Sequence, residues 1–137
     1  MTDSADRIID DHRFIRQQLQ KLESATRSDE AAELLAELSP IMSEHFKAEE
    51  EPDTGLYAIV GEAGPQHNRA IDALFAEHRD LESAVAELQT LLGERADHPL
   101  GPLGNKVKDF VSQLRQHEAN ETELLSVAAN DDMGAAD

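Results

Sequence analysis

The sequence has no cysteine and no tryptophan, a single tyrosine, and only 12 basic residues against 29 acidic ones. Each shortage removes a class of function. Without thiols there is no disulfide framework, no thiolate metal site and no cysteine nucleophile. A formal net charge of −17 repels phosphate backbones and anionic lipid heads, so neither nucleic acid nor membrane is expected as a partner. No apolar run approaches membrane-spanning length, and the opening MTDSADRIIDDH has neither the basic nor the apolar region of a secretion signal. A soluble, cytoplasmic protein is the expectation. The acidic surplus with scarce lysine suits an ordinary solubilised surface and also a salt-rich cytoplasm. No HExxH, glycine-rich phosphate loop or GxSxG elbow occurs, which removes the commonest zinc-peptidase, nucleotide and hydrolase readings.

What remains is rich in Leu, Ala, Glu and Gln, a mixture that favours helix, in a chain of 137 residues that suits one domain. Period-two alternation is missing throughout, and four segments carry a helical repeat instead. The first runs from about Ser4 to Leu22, with Asp3 or Ser4 as cap and Ile8, His12, Ile15, Leu19 and Leu22 on one face. The second runs from about Glu30 to Glu51, with Leu35, Leu38, Met42, His45 and Glu49 inward, and Pro40 is expected to kink it or restart it behind Ser39. The breaker-rich EPDTGLYAIVGEAGP has room for another turn or two around Leu56 to Val60. The third helix is expected from near Pro65 to Leu92, before Gly93, with Ile71, Leu74, His78, Leu81, Val85, Leu88 and Leu92 in a heptad series. The fourth carries Leu103, Val107, Phe110, Leu114, His117, Glu121, Leu124 and Ala128. Residues 1–128 are thus expected as an all-α, antiparallel up-down-up-down four-helix bundle, with 129–137, ANDDMGAAD, as a flexible acidic tail.

The inward faces carry an anomaly. Each has one histidine, His12, His45, His78 and His117, and two of these are followed one helical turn later by a glutamate, as His45-x-x-x-Glu49 and His117-x-x-x-Glu121. Counted from the shared bundle end, with the second helix continued to Ala58, the four lie at depths that agree to roughly one turn. One histidine in a helical stripe is ordinarily a hydrogen-bonded core residue, and a lone HxxxE is an ordinary helix-face pair. Four imidazoles and two carboxylates in one layer are a different matter, because burying them without a common partner is costly. A metal removes that cost, and the donor set suits iron, manganese or zinc, with two carboxylates able to bridge two ions. The ferritin-like alternative needs Glu-x-x-His, whereas the positions three before the histidines are Ile9, Met42, Phe75 and Leu114.

The ordered set of a histidine on the first helix, HFKAEE on the second, AEH on the third and HEANE on the fourth resembles the hemerythrin-like, or HHE cation-binding, domains over about residues 6 to 128. The resemblance implies a non-haem di-iron centre with an oxo or hydroxo bridge. In it His12 and His45 would bind one iron, His78 and His117 the other, and Glu49 and Glu121 both. It also implies O2, peroxide or nitric oxide as the small ligand. Three roles stay open: oxygen binding or sensing, turnover of peroxide or nitric oxide, and iron storage or sensing. Oxygen carriers of this family have a further histidine one turn before the third-helix ligand, and here that position is Leu74. If the second helix continues past Pro52, Tyr57 is within reach as a ligand or hydrogen-bond donor, and otherwise it is a boundary tyrosine; Glu50 reads as a supporting carboxylate or as a solvated one. His67 shares the face of His78 but lies about 16 Å away along the helix axis, too far for the same site. His98 reads as a loop residue. With no effector domain in the sequence, any signal would have to pass through a partner, whether a second copy in a homodimer or a separate signalling protein, or through the bundle's own stability.

Overall fold

The computed structural model describes the backbone of residues 4–136 and the side chains of residues 10–130. Among the described residues it is all-helical, with α1 (Ser4–Ser24), α2 (Ser28–Glu49), α3 (Leu56–Glu62), α4 (Asn68–Gly93) and α5 (Leu103–Ala136), and a 3-10 turn, Pro65–His67, leading into α4. The Ile8 side chain and the expected Asp3 or Ser4 cap lie outside the described residues. None of these helices is long and apolar enough to cross a membrane.

The four long helices pack in a ring: α1 lies against α2 and α5, and α4 also lies against α2 and α5. At one end the short loop after α1 is tied to the long loop after α4, since Ser28 N–H donates to His98 O at 2.9 Å and Leu100 N–H to Thr26 O at 3.0 Å. The apolar residues form two separate clusters. The larger contains Ile15, Leu19, Leu22, Leu35, Leu38, Met42, Phe46, Leu81, Val85, Leu88, Val107, Phe110 and Leu114. The smaller contains Tyr57, Val60, Ile71, Leu74, Leu124 and Ala128. Burial of each large aliphatic chain stabilises by about 1.5–3 kcal/mol, so both clusters are substantial. Along α4 and α5 the order is the same: His78 falls between Leu74 and Leu81, and His117 and Glu121 fall between Leu114 and Leu124. A polar layer therefore separates the two clusters.

Several boundaries differ from the sequence expectation. Pro40 neither breaks nor restarts α2, which runs unbroken through it. Both Pro40 and Ala36, whose carbonyl loses its intrahelical partner, are exposed, so water can satisfy the freed oxygen. α2 stops at Glu49 and does not run on to Ala58; Tyr57 comes from a separate helix instead. Gly55 makes that possible. Any Cβ there would collide with the backbone oxygens of Glu49 and Glu51, which the chain crosses closely as it turns into α3. Finally, α5 continues to Ala136, so the acidic segment after residue 128 is helical over its described part. Only Gly134 there disfavours helix strongly.

Candidate metal centre

Each of the long helices delivers its histidine to the polar layer because the apolar stripe that buries the helix also buries that position. His45, His78, His117, Glu49 and Glu121 are buried, and His12 is partly exposed. The six side chains come together as two overlapping groups, His12–His45–Glu49–Glu121 and Glu49–His78–His117–Glu121, whose nearest donor atoms lie within 4.8 Å of one another. The rings meet edge-on within each histidine pair, with centroids 4.6 Å apart for His12 and His45 and 4.8 Å for His78 and His117.

The carboxylates divide their oxygens between the pairs. Glu49 Oε2 lies 3.1 Å from His45 Nε2, and Glu49 Oε1 lies 3.2 Å from His78 Nε2. Glu121 Oε1 and Oε2 lie 3.6 Å from the Nε2 atoms of His12 and His117 respectively. All four imidazoles thus turn Nε2 inward. Glu49 Oε2 is fully buried yet has no hydrogen bond, even with His45 Nε2 so close. Two buried donor atoms this close without a hydrogen bond between them leave a place for a shared partner. Together with a donor set of imidazole nitrogens and carboxylate oxygens, this fits a bound cation.

The outward nitrogens are held by a second set of carboxylates. His78 Nδ1 meets Glu50 Oε2 at 2.6 Å, His117 Nδ1 meets Glu77 Oε1 at 2.7 Å, and His45 Nδ1 meets Asp11 Oδ2 at 3.4 Å. Such contacts fix the tautomer that leaves Nε2 free as a donor to a cation. For Glu50 the sequence left a supporting and a solvated role open, and the contact with His78 matches the first. Asp11 and Glu77 were not singled out, although each directly precedes a candidate histidine. The reason is that each serves the histidine of a neighbouring helix, which spacing within one helix cannot reveal. Phe46 was missed as well: its ring stacks on His78 at 3.8 Å and 9° and meets His117 edge-on at 5.5 Å.

The Tyr57 hydroxyl enters the same layer, 2.7 Å from Glu121 Oε2, 2.8 Å from His78 Nε2 and 3.5 Å from Glu49 Oε1. Burial, and then the charges of Glu121 and Glu49, push its ionisation far above the ordinary phenol value, so it holds its proton. Burial likewise pushes the Glu49 carboxyl up, with Glu121 adding to the effect and His78 opposing it. Glu121 is also penalised by burial, but hydrogen bonds from His12, Glu49 and Tyr57 outweigh this and hold it below the ordinary carboxyl value. The two glutamates therefore act as a pair that keeps one proton between them, which a cation could displace. Glu118, with one oxygen buried and unbonded, is raised by burial while His12, Arg16 and His45 pull it down.

Leu74 packs in the smaller apolar cluster with Tyr57 and Leu124 and brings no donor atom. His67 is buried in the turn before α4 and is in neither donor group, and exposed His98 lies in the loop before α5. No curated protein and no solved structure matches the chain significantly. The family model of the hemerythrin HHE cation binding domain matches residues 3–128, nearly its whole length. The chain belongs to the hemerythrin HHE cation-binding domain family.

Proposed function

We propose that this protein is a non-haem di-iron protein that binds O2 or a related small ligand, with residues 1–128 as an up-down-up-down hemerythrin-like bundle. The antiparallel course is supported by the tie between the loop after α1 and the loop after α4. The observation that carries the functional reading is the division of each carboxylate between two histidine pairs, one oxygen toward each. On this reading His12 and His45 would hold one ion and His78 and His117 the other, with Glu49 and Glu121 shared between them. Two iron ions there would supply one-electron redox chemistry and an open position for a small ligand.

The chain's own residues then have distinct tasks. Glu50, Glu77 and Asp11 orient the imidazoles, and Phe46 and the smaller apolar cluster keep water from the layer. Tyr57 holds a proton at its hydroxyl, beside Glu121, from where it can donate a hydrogen bond to a ligand that gains negative charge. That proton, and the absence of a nitrogen donor at Leu74, favour a second reading in which peroxide or nitric oxide is turned over.

The test is iron-supplied expression, followed by metal analysis, anaerobic reduction and exposure to air. About two irons per chain and a reversible oxygenated species are expected. Immediate irreversible oxidation would favour the second reading, and a single zinc despite supplied iron would refute both.

A further inference from the structure

We propose that the two positions of the cluster hold their ions unequally: the one at His12 and His45 exchanges, and the one at His78 and His117 retains. This rests on the di-iron reading above. The side chains of His78 and His117 are 0% and 4% exposed, and their Nδ1 atoms meet carboxylates at 2.6 and 2.7 Å. Those carboxylates are themselves pinned. Arg79 Nη2 donates to Glu50 Oε2 at 2.7 Å, and Asn120 Nδ2 donates to Glu77 Oε2 at 3.0 Å. The Phe46 ring covers His78 from the core side.

Among the described residues the other position is held less closely. His12 is 24% exposed, and although His45 is itself buried, its carboxylate, Asp11, lies 3.4 Å away, at the long limit of a hydrogen bond. A ligand in contact with water can be replaced by a solvent or chelator donor while the remaining ligands stay in place, which opens a stepwise route for release. A fully buried imidazole fixed by a short charge-assisted bond has no such route. The edge at His12 on α1 is therefore the door for the exchanging ion. As iron supply falls, the protein passes through a one-iron state before it empties, which makes the outer position the one that responds to iron supply.

The experiment is anaerobic release of ferrous iron from the loaded full chain into excess bipyridine, followed by the absorbance of the ferrous chelate. Two phases are expected, each of about one iron per chain, with rates separated by roughly tenfold or more. Glu77→Gln should speed the slow phase by roughly 10- to 100-fold and leave the fast phase unchanged. Asp11→Asn should change the fast phase alone, by less than roughly threefold, since the bond it weakens is already long. Release of two irons in one phase overturns the proposal, as does a fast phase that responds to Glu77→Gln. Should either variant fold poorly, the biphasic release of the parent still decides. Loading that saturates below two irons per chain overturns the di-iron reading itself, whereas two irons lost together overturn only the inequality.

Discussion

Replacing Tyr57 by phenylalanine removes one oxygen from the centre of the polar layer and leaves the ring, with its contact to Phe75 at 5.3 Å, in place. That oxygen donates to Glu121 Oε2 at 2.7 Å, a buried bond to a charged acceptor of the kind that contributes about 1.5–3 kcal/mol. His12 and His117 remain beside Glu121, so the cost falls toward the lower half of that range, at about 2 kcal/mol. For a chain of this size 1 kcal/mol moves the melting temperature by about 3–5 °C, so calorimetry of the chelated variant should show a drop of about 6–10 °C. The iron-loaded variant should keep its metal and melt closer to its parent, because bound ions bring Glu121 a different partner. An unchanged melting temperature in the chelated variant would refute the hydrogen-bond assignment. A visible ferric-phenolate band in the oxidised parent, absent from the variant, would refute the donor role in another way, by making Tyr57 an iron ligand.

The Glu49 carboxyl, pushed by burial from 4.5 up to about 8, stabilises the chelated fold when protonated, and that contribution is lost as pH rises from its unfolded value through the folded one. Chelated protein should therefore melt lower at about pH 8 than at about pH 6. Glu121, held low, contributes oppositely, but only in acid below its unfolded value, outside that window. Iron-loaded protein should show the reverse trend and release metal toward about pH 6, as imidazole protonation competes with binding; equal melting with and without chelator would count against any metal site. Phe46→Leu keeps an apolar side chain but loses the stack on His78, and urea titration should show a loss of about 1–2 kcal/mol, with no change contradicting the packing argument. Leu74→His should destabilise the chelated protein by about 1–3 kcal/mol, because an imidazole replaces a side chain in the smaller apolar cluster. If the new ring reaches the open iron position, autoxidation should slow while iron content holds; loss of iron without a longer-lived oxygenated form would exclude that.

The parts of this fold that could be read from the sequence are those governed by one helix at a time. Every inward residue expected on α2, α4 and α5 is buried, because a stripe at helical spacing has no other stable place to go. The ring of six polar residues followed from the same stripes. What escaped depended on contacts between segments or on local backbone geometry. Pro40 neither ends nor restarts α2, and the exposure of Ala36 lets water reach the carbonyl it frees. α2 ends at Glu49 because Gly55 permits a crossing too close for any side chain, and Tyr57 reaches the layer from α3 for that reason.

The acidic composition also conceals part of the site. Among 29 acidic residues, most sit where they were expected, on a solvated surface, and the place directly before a histidine that Asp11 and Glu77 occupy is shared by exposed Glu44, so it does not mark them. In the fold their roles differ from those of their neighbours. Glu77 leaves α4 to hold His117 on α5, Glu50 leaves the end of α2 to hold His78 on α4, and Asp11 leaves α1 to hold His45 on α2. Each reaches across a helix interface, so each depends on the register of two helices as much as on its own position. A surface carboxylate can be exchanged for another soluble residue with little consequence, but Glu50 and Glu77 cannot move without freeing an imidazole on the facing helix. Their unequal lengths, 2.6 and 2.7 Å on one side and 3.4 Å on the other, are a property of helix packing, and through them that packing sets how firmly each half of the centre is held.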